Sequence, residues 1–380
     1  MSENKARAGW ILLTLFCLGT FVAAADRLQW KRTTAKDGNV VIVKNPREPI
    51  HKDAVLMFKE DFTIGGAEAK GEYAFTSPRS MAADKEGNLY VLDVRDSCIK
   101  VFDSSAKYLR TIGRRGQGPG EIGGGMSMTL LPEKAEIFVF DASNRRLSVF
   151  NINGSFLKQL PVRGLVAEIK IDTLGNIYIL DGVFGQGGRE DVLKKLNPDM
   201  NQVLAEFIRH PQDERPNPFS PRDYWILDSK DRLIYGDGKT YEIRYFSSDG
   251  QLIRRVLRDY ELLKVTQKDI DEFGDRRIPG SGAKIDYNFS SHHGAYRSFF
   301  ADDLGHLFVQ TWERTSDRRQ DIHDIFDAEG RFIGRVALNR HADLINPKSR
   351  FIRDGKFYTI EPDKEGYEVI KRYSIEWKVK

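Results

Sequence analysis

The chain has 380 residues, 40% of them hydrophobic and 30% charged, with 33 glycines and 23 phenylalanines. That composition excludes a disordered chain, and the length suits one closed β domain as well as it suits two average domains. The formal charge of +4 is a small difference between 59 basic and 55 acidic residues spread along the sequence, which argues against a nucleic-acid-binding protein.

At the N-terminus, Lys5 and Arg7 precede an apolar run from Trp10 to Leu18, and Ala23-Ala24-Ala25 precedes Asp26. A basic start, a short apolar stretch and a small-residue triplet are the parts of a secretory signal peptide. Residues 1–25 are therefore expected to be removed, leaving 26–380 as one exported domain, periplasmic or secreted and without membrane attachment. The alternative is an uncleaved anchor, for which the apolar run is short. Cys17 does not make a lipoprotein signal, because Phe16 stands where a small residue is required. After cleavage Cys98 is the only cysteine, which precludes an internal disulfide, and it reads as a small apolar strand residue.

A turn followed by a strand then recurs along the chain. The clearest copies are Gly87-Asn88-Leu89-Tyr90-Val91-Leu92-Asp93, Glu136-Ile137-Phe138-Val139-Phe140-Asp141 and Gly175-Asn176-Ile177-Tyr178-Ile179-Leu180-Asp181. Weaker copies centre on Leu233, Leu307 and Phe357, and the six markers from Leu89 onward are spaced by 48, 40, 56, 74 and 50 residues. An inner strand ending in an acidic turn precedes each copy, as at Ser80 to Asp84, and two further strands follow, as at Ile99 to Asp103 and Tyr108 to Ile112. Four strands per unit make a propeller blade, so the fold expected is an all-β six-bladed propeller.

These residues resemble the NHL-repeat family, in particular its exported bacterial six-bladed propellers. The first blade and its trailing Arg114-Arg115-Gly116-Gln117-Gly118-Pro119-Gly120-Glu121 match closely, and blades four to six match in outline. The resemblance implies a scaffold and does not assign an activity. Phe62-Thr63-Ile64-Gly65-Gly66 echoes Thr111-Ile112-Gly113, so Val55 to Ile64 is expected to pair beside Val369 to Ile375 and close the ring.

One face of the ring carries tight turns, such as Asp84 to Asn88. The other receives the insertions Gly113–Gly125, Gly182–Asp191, Ile208–Arg222, Asp259–Gly294 and Thr311–Gln320, and is the expected binding face. Within the longest, Thr266-Gln267-Lys268-Asp269 reads as a capped helix and a candidate lid. The glycine-rich stretch after Ile112 lacks the Lys-Ser/Thr of a phosphate loop and reads as a bend between blades, with its arginines within reach of the channel mouth.

Counting five residues back from the acid ending each inner strand gives Arg79, Ala167, Asp223 and Arg297, with Arg222 and Tyr296 adjacent and His293 just before. Arginines with one aspartate suit a carboxylate, sulfate or sugar acid through forked hydrogen bonds. The competing expectation is that they pair with carboxylates inside the tunnel. The binding set is thus Arg79, Arg222, Asp223, His293, Tyr296 and Arg297. Of the histidines, His306 and His323 read as turn or outer-strand residues, leaving only His210, His292 and His293 near inner strands. No metal, cofactor or catalytic set is expected on that distribution. The function expected is an exported, monomeric module binding a protein, carbohydrate or small acidic ligand through the insertion-bearing face. The alternative is a propeller hydrolase or lyase, lactonase-like or metal-dependent, at the channel mouth.

Overall fold

The computed structural model of the chain describes residues 31–53, 55–185, 188–211, 217–274, 287–340 and 349–378. The signal-peptide reading of residues 1–25 lies outside them, as do His341 and the side chain of Ala167. The strands β1 (Thr33–Asp37) and β2 (Val40–Asn45) form a hairpin, and β3 (Leu56–Gly65) follows. Blade 1 comprises β4 (Pro78–Ala83), β5 (Leu89–Asp93), β6 (Cys98–Phe102) and β7 (Tyr108–Ile112). Blade 2 comprises β8 (Gly125–Leu131), β9 (Glu136–Asp141), β10 (Arg146–Asn151) and β11 (Phe156–Pro161). Blade 3 comprises β12 (Leu165–Ile171), β13 (Ile177–Gly185), β14 (Gly188–Leu196) and β15 (Val203–Pro211).

Blade 4 comprises β16 (Tyr224–Leu227), β17 (Leu233–Gly236), β18 (Glu242–Phe246) and β19 (Leu252–Arg258), and a short helix, α1 (Gln267–Phe273), comes next. Blade 5 comprises β20 (Ser298–Ala301), β21 (Leu307–Arg314), β22 (Gln320–Phe326) and β23 (Phe332–Asn339). Blade 6 takes β24 (Arg350–Arg353), β25 (Lys356–Pro362) and β26 (Glu368–Trp377) from the end of the chain and β3 from its beginning. The inner strands neighbour one another in the order β4, β8, β12, β16, β20, β24 and back to β4, so the fold is a closed six-bladed β-propeller.

The repeat phrase is apolar throughout because its strand is buried on both faces. In β5, Leu89 and Val91 pack toward blade 6, whereas Tyr90 and Leu92 pack toward blade 2, and all four are fully buried. In β9, Ile137 and Val139 face blade 1 while Phe138 and Phe140 face blade 3. Six apolar clusters of this kind fill the six seams between neighbouring blades. The turn acids hold the hairpins: Asp84 accepts from the Asn88 backbone and side chain at 2.8 Å, and Asp172 does the same for Asn176 at 2.8 and 2.9 Å.

Ring closure runs as the sequence pattern indicates. The strand β3 lies antiparallel to β26, from Val369 opposite Gly65 to Trp377 opposite Leu56. The β1–β2 hairpin was not foreseen: β2 adds in parallel to β19 and extends blade 4 to six strands. Its signal is the Asp37-Gly38-Asn39 turn before a β-branched run, with Gly38 at φ 58°. Asn45, fully buried at the end of β2, donates to Gly330 O at 2.9 Å and accepts from Phe332 N at 2.8 Å, which ties the hairpin to blade 5.

Two of the expected insertions are not loops. Residues 182–185 and 188–191 continue β13 and β14 as a ladder in which Val183 faces Glu190 and Phe184 faces Arg189. Thr311–Arg314 likewise prolongs β21. Removing residues 26–66 deletes β3 and strips the edge of β26, so the truncate is expected to be insoluble or to melt about 10 °C or more below the full chain by circular dichroism. An unchanged melting temperature would contradict closure through β3.

Candidate functional site

The rim of the channel is built by one device repeated in blades 1 to 3. The acid ending the second strand turns its carboxylate to the backbone entering the inner strand. Asp93 accepts from Thr76 N at 2.7 Å and Ser77 N at 3.0 Å, and Asp141 accepts from Gly123 N and Gly124 N at 3.0 Å each. Asp181 accepts from Leu165 N at 3.1 Å. Directly after each anchored entry the inner strand bulges: the register skips Arg79 in β4, Met126 in β8 and Ala167 in β12. An unpaired bulge residue is free to be aimed away from the ladder, and Arg79 and Met126 turn into the channel.

Blade 4 departs from this device: Asp237, at the position of the acid, accepts from Lys239 N at 3.0 Å and pairs with Arg244 at 3.5 Å instead of holding the entering backbone, and Gly236 precedes it. A Cβ there would lie 1.8 Å from the Tyr296 hydroxyl, so the glycine makes room for that ring. Tyr296 Oη accepts from Gly238 N at 3.2 Å and donates to Glu242 O at 3.0 Å. The tyrosine therefore locks blade 5 to blade 4, with its hydroxyl already engaged as both donor and acceptor.

Inside the ring lies a cavity of about 610 Å³ lined by all six inner strands or their entries. Arg79, Arg222, Asp223, Tyr296 and Arg297 are brought together there. His293 is not among its lining residues. It is buried, stacked on Trp312 with ring centroids 4.2 Å apart, and reaches Asp269 at 3.4 Å. His323, read from sequence as an outer residue, lines the cavity. The cause is an irregularity in β21, where the pairing passes from Gln310–His323 directly to Arg314–Asp321, which sequence alternation does not register. Arg350, at the start of β24, lines the cavity as well.

The charges divide into satisfied and unsatisfied groups. Arg297 pairs with Asp321 at 2.9 Å, and Gln310 donates to the same oxygen at 2.7 Å. Lys170 pairs with Glu168 at 2.6 Å. Asp223 is engaged by His210 Nε2 and, at 2.7 Å, by the Tyr235 hydroxyl. Arg350 donates to Asn339 O and, at 3.3 Å, to His323 Nε2, and burial pushes its pKa down to about 10. His323 is itself kept neutral, first by burial and then by the Arg350 charge, so its Nε2 is free to accept. Arg79 and Arg222 have no hydrogen bond or ion pair from their side chains among the described residues. Arg222 reaches open cavity space, yet surrounding protein lowers its pKa by desolvation.

Beside the cavity, α1 begins with the capping box read from sequence: Thr266 accepts from Asp269 N and Asp269 accepts from Thr266 N. Burial alone would raise the Asp269 carboxyl, but hydrogen bonds from Thr266 and Arg318 hold it well below the usual range. Glu272 takes Arg314 and Arg318 at 2.8 Å, and Phe273 enters a cluster with Phe219 and Trp312. Through Trp312, whose ring lines the cavity, the helix braces the rim. The glycine-rich stretch is a bend, as expected, but its arginines turn elsewhere. Arg114 pairs with Glu121 at 3.0 Å, and Arg115 donates to Arg95 O.

The histidine at the rim makes stability depend on pH. The Asp223 hydrogen bond raises His210 to about 9 from an ordinary 6.5. Its stabilisation is therefore complete below about pH 6.5 and lost as pH rises through 9. For a partly exposed pair this amounts to about 1 kcal/mol after solvent screening. Urea unfolding at pH 6.5 and 9.5 should show a loss that His210→Gln abolishes, and an equal loss in the variant would contradict the assignment.

A family model described as a 6-bladed beta-propeller matches residues 77–161, the stretch that forms blades 1 and 2. No curated protein matches the chain in sequence. The fold is similar to that of a Bacteroides fragilis protein described as exported, with 11% identity and a TM-score of 0.56 over 89% of this chain and 100% of that one. It is also similar to a DUF4221-family protein of Bacteroides vulgatus, with 12% identity and a TM-score of 0.55 over 85% of this chain and 99% of that one. At such identities the likeness establishes the six-bladed propeller as an architecture.

Proposed function

We propose that the protein is an exported binding propeller that takes a small acidic ligand at the mouth of its central channel. The observation that carries this reading is that Arg79 and Arg222 line one cavity without a side-chain hydrogen bond or ion pair to any of the described residues. A guanidinium partly removed from water and left unpaired is costly, and a bound carboxylate, sulfate or sugar acid relieves that cost through forked hydrogen bonds. Blades 4, 5, 6 and 1 contribute Arg222, Arg297, Arg350 and Arg79 in ring order, so the arginines lining the channel come from four consecutive blades and, among the described lining residues, none comes from blades 2 and 3.

Export is supported by the N-terminal pattern of Lys5, Arg7 and Ala23-Ala24-Ala25, and by the description of the B. fragilis protein. Among the described residues no helix is long and apolar enough to cross a membrane. The repeat phrase and the trailing glycine-rich bend support kinship with NHL-type propellers.

The test is calorimetric titration of the protein with sulfate, citrate and glucuronate at fixed ionic strength. Arg79→Ala and Arg222→Ala should each weaken the tightest of these by about tenfold, the loss expected for a hydrogen bond to a charged group. Arg319→Ala, the same charge change on an exposed rim arginine, should leave affinity unaltered. Equal losses in all three variants would reduce the effect to general charge and overturn the reading.

A further inference from the structure

The half of the channel wall facing the arginines is made of different chemistry. Blades 2 and 3 contribute Met126, Met128, Ile169 and Leu180, and blade 1 adds Met81 on its inner strand. Three of the six methionines in the chain thus line this one cavity. Met126 occupies the β8 bulge and is 38% exposed, although the same bulge in β4 presents Arg79. Among the described lining residues the charges on the blade 2–3 side are Lys170 and Glu168, which pair at 2.6 Å.

A cavity of about 610 Å³ is far larger than an inorganic anion and falls in the range that holds an organic ligand. An inorganic anion on the arginines would leave the methionine wall facing water. Methionine is unbranched and polarizable, and it adapts to apolar ligand surfaces of varied shape. The aromatic rings of the wall are already engaged by protein. Trp312 stacks on His293 at 4.2 Å and carries the Arg297 guanidinium at 5.1 Å, and Phe300 stacks on Phe308 at 4.8 Å. The wall therefore offers flexible aliphatic contact and no broad free ring on which a sugar or aromatic ligand would stack.

We infer that the ligand is an amphiphilic organic acid whose acidic group meets the arginine half of the channel and whose aliphatic body lies on the methionine half. This rests on the anion-binding reading above and adds the chemistry of the ligand's body. Tyr224, whose hydroxyl has no hydrogen-bond partner among the described residues, lies between the halves and supplies a neutral donor to the acidic group. Met126 is the residue that sets preference for the body, since it is both on the bulge and open to the cavity.

The experiment is calorimetric titration with acetate, butanoate, hexanoate and octanoate, with sulfate as the headgroup-only probe. Affinity should rise about fourfold per added methylene up to the length at which the methionine wall is covered. Met126→Gln should flatten that dependence while leaving acetate and sulfate binding intact, and Met126→Leu should restore it. Arg79→Ala should weaken every member of the series equally. Binding of sulfate and acetate that depends on Arg79 but does not grow with chain length would overturn this inference and leave the anion site standing. Absence of any Arg79-dependent binding across the series and sulfate would overturn both.

Discussion

The whole structure depends on one constraint: every central strand is apolar on both faces, so no blade is stable without a neighbour on each side. Leu89-Tyr90-Val91-Leu92 states this in four residues, two for each adjoining blade. Such units reach a stable state only when the series has no end, and a linear chain achieves that by giving its first strand to its last blade. The pairing of β3 with β26 is therefore the condition for the other five seams as much as a sixth contact. It also places six inner-strand entries around a single axis, and this is why residues from Arg79 to Arg350 come to share one cavity.

The same acids that punctuate the repeat in sequence position the rim. Asp93, Asp141 and Asp181 are buried and accept from backbone N–H groups of the chain entering the inner strand of their own blade. Anchored there, the entry bulges by one residue, and the chemistry of that residue is free to vary because the fold does not use its side chain. An arginine at one bulge and a methionine at the next give the channel its two unlike halves. Deeper in blade 5, Asp321 holds Arg297 and lies 3.5 to 3.7 Å from Arg314 and Arg340, which Glu272 also meets, so a shared network of acids and arginines backs the rim.

Much of this was legible in the chain. The phrase ending in Asp93 marked the period, and the echo of Thr111-Ile112-Gly113 in Thr63-Ile64-Gly65 revealed the closing strand and its partner with nearly their true bounds. The capping box at Thr266 and Asp269 was visible because it is local, three residues apart. Counting back from each turn acid found Arg79, Asp223 and Arg297, which all line the cavity. It could not say which of them are already paired, for pairing depends on Asp321 and His210, which come from other strands. His293 and His323 exchanged places for a related reason. The irregular pairing of β21 turns His323 to the channel, and the long insertion before β20 folds His293 back under Trp312.

The account's central claim is that an anion sits against the unpaired arginines of the channel. Anomalous diffraction from crystals of the protein soaked in selenate tests it most directly, because the peak reports both the presence of the anion and its partners. The account predicts a selenate inside the cavity in hydrogen-bond contact with the Arg79 or Arg222 guanidinium. Selenate confined to exposed arginines such as Arg319, with the channel free of anomalous density, would contradict it.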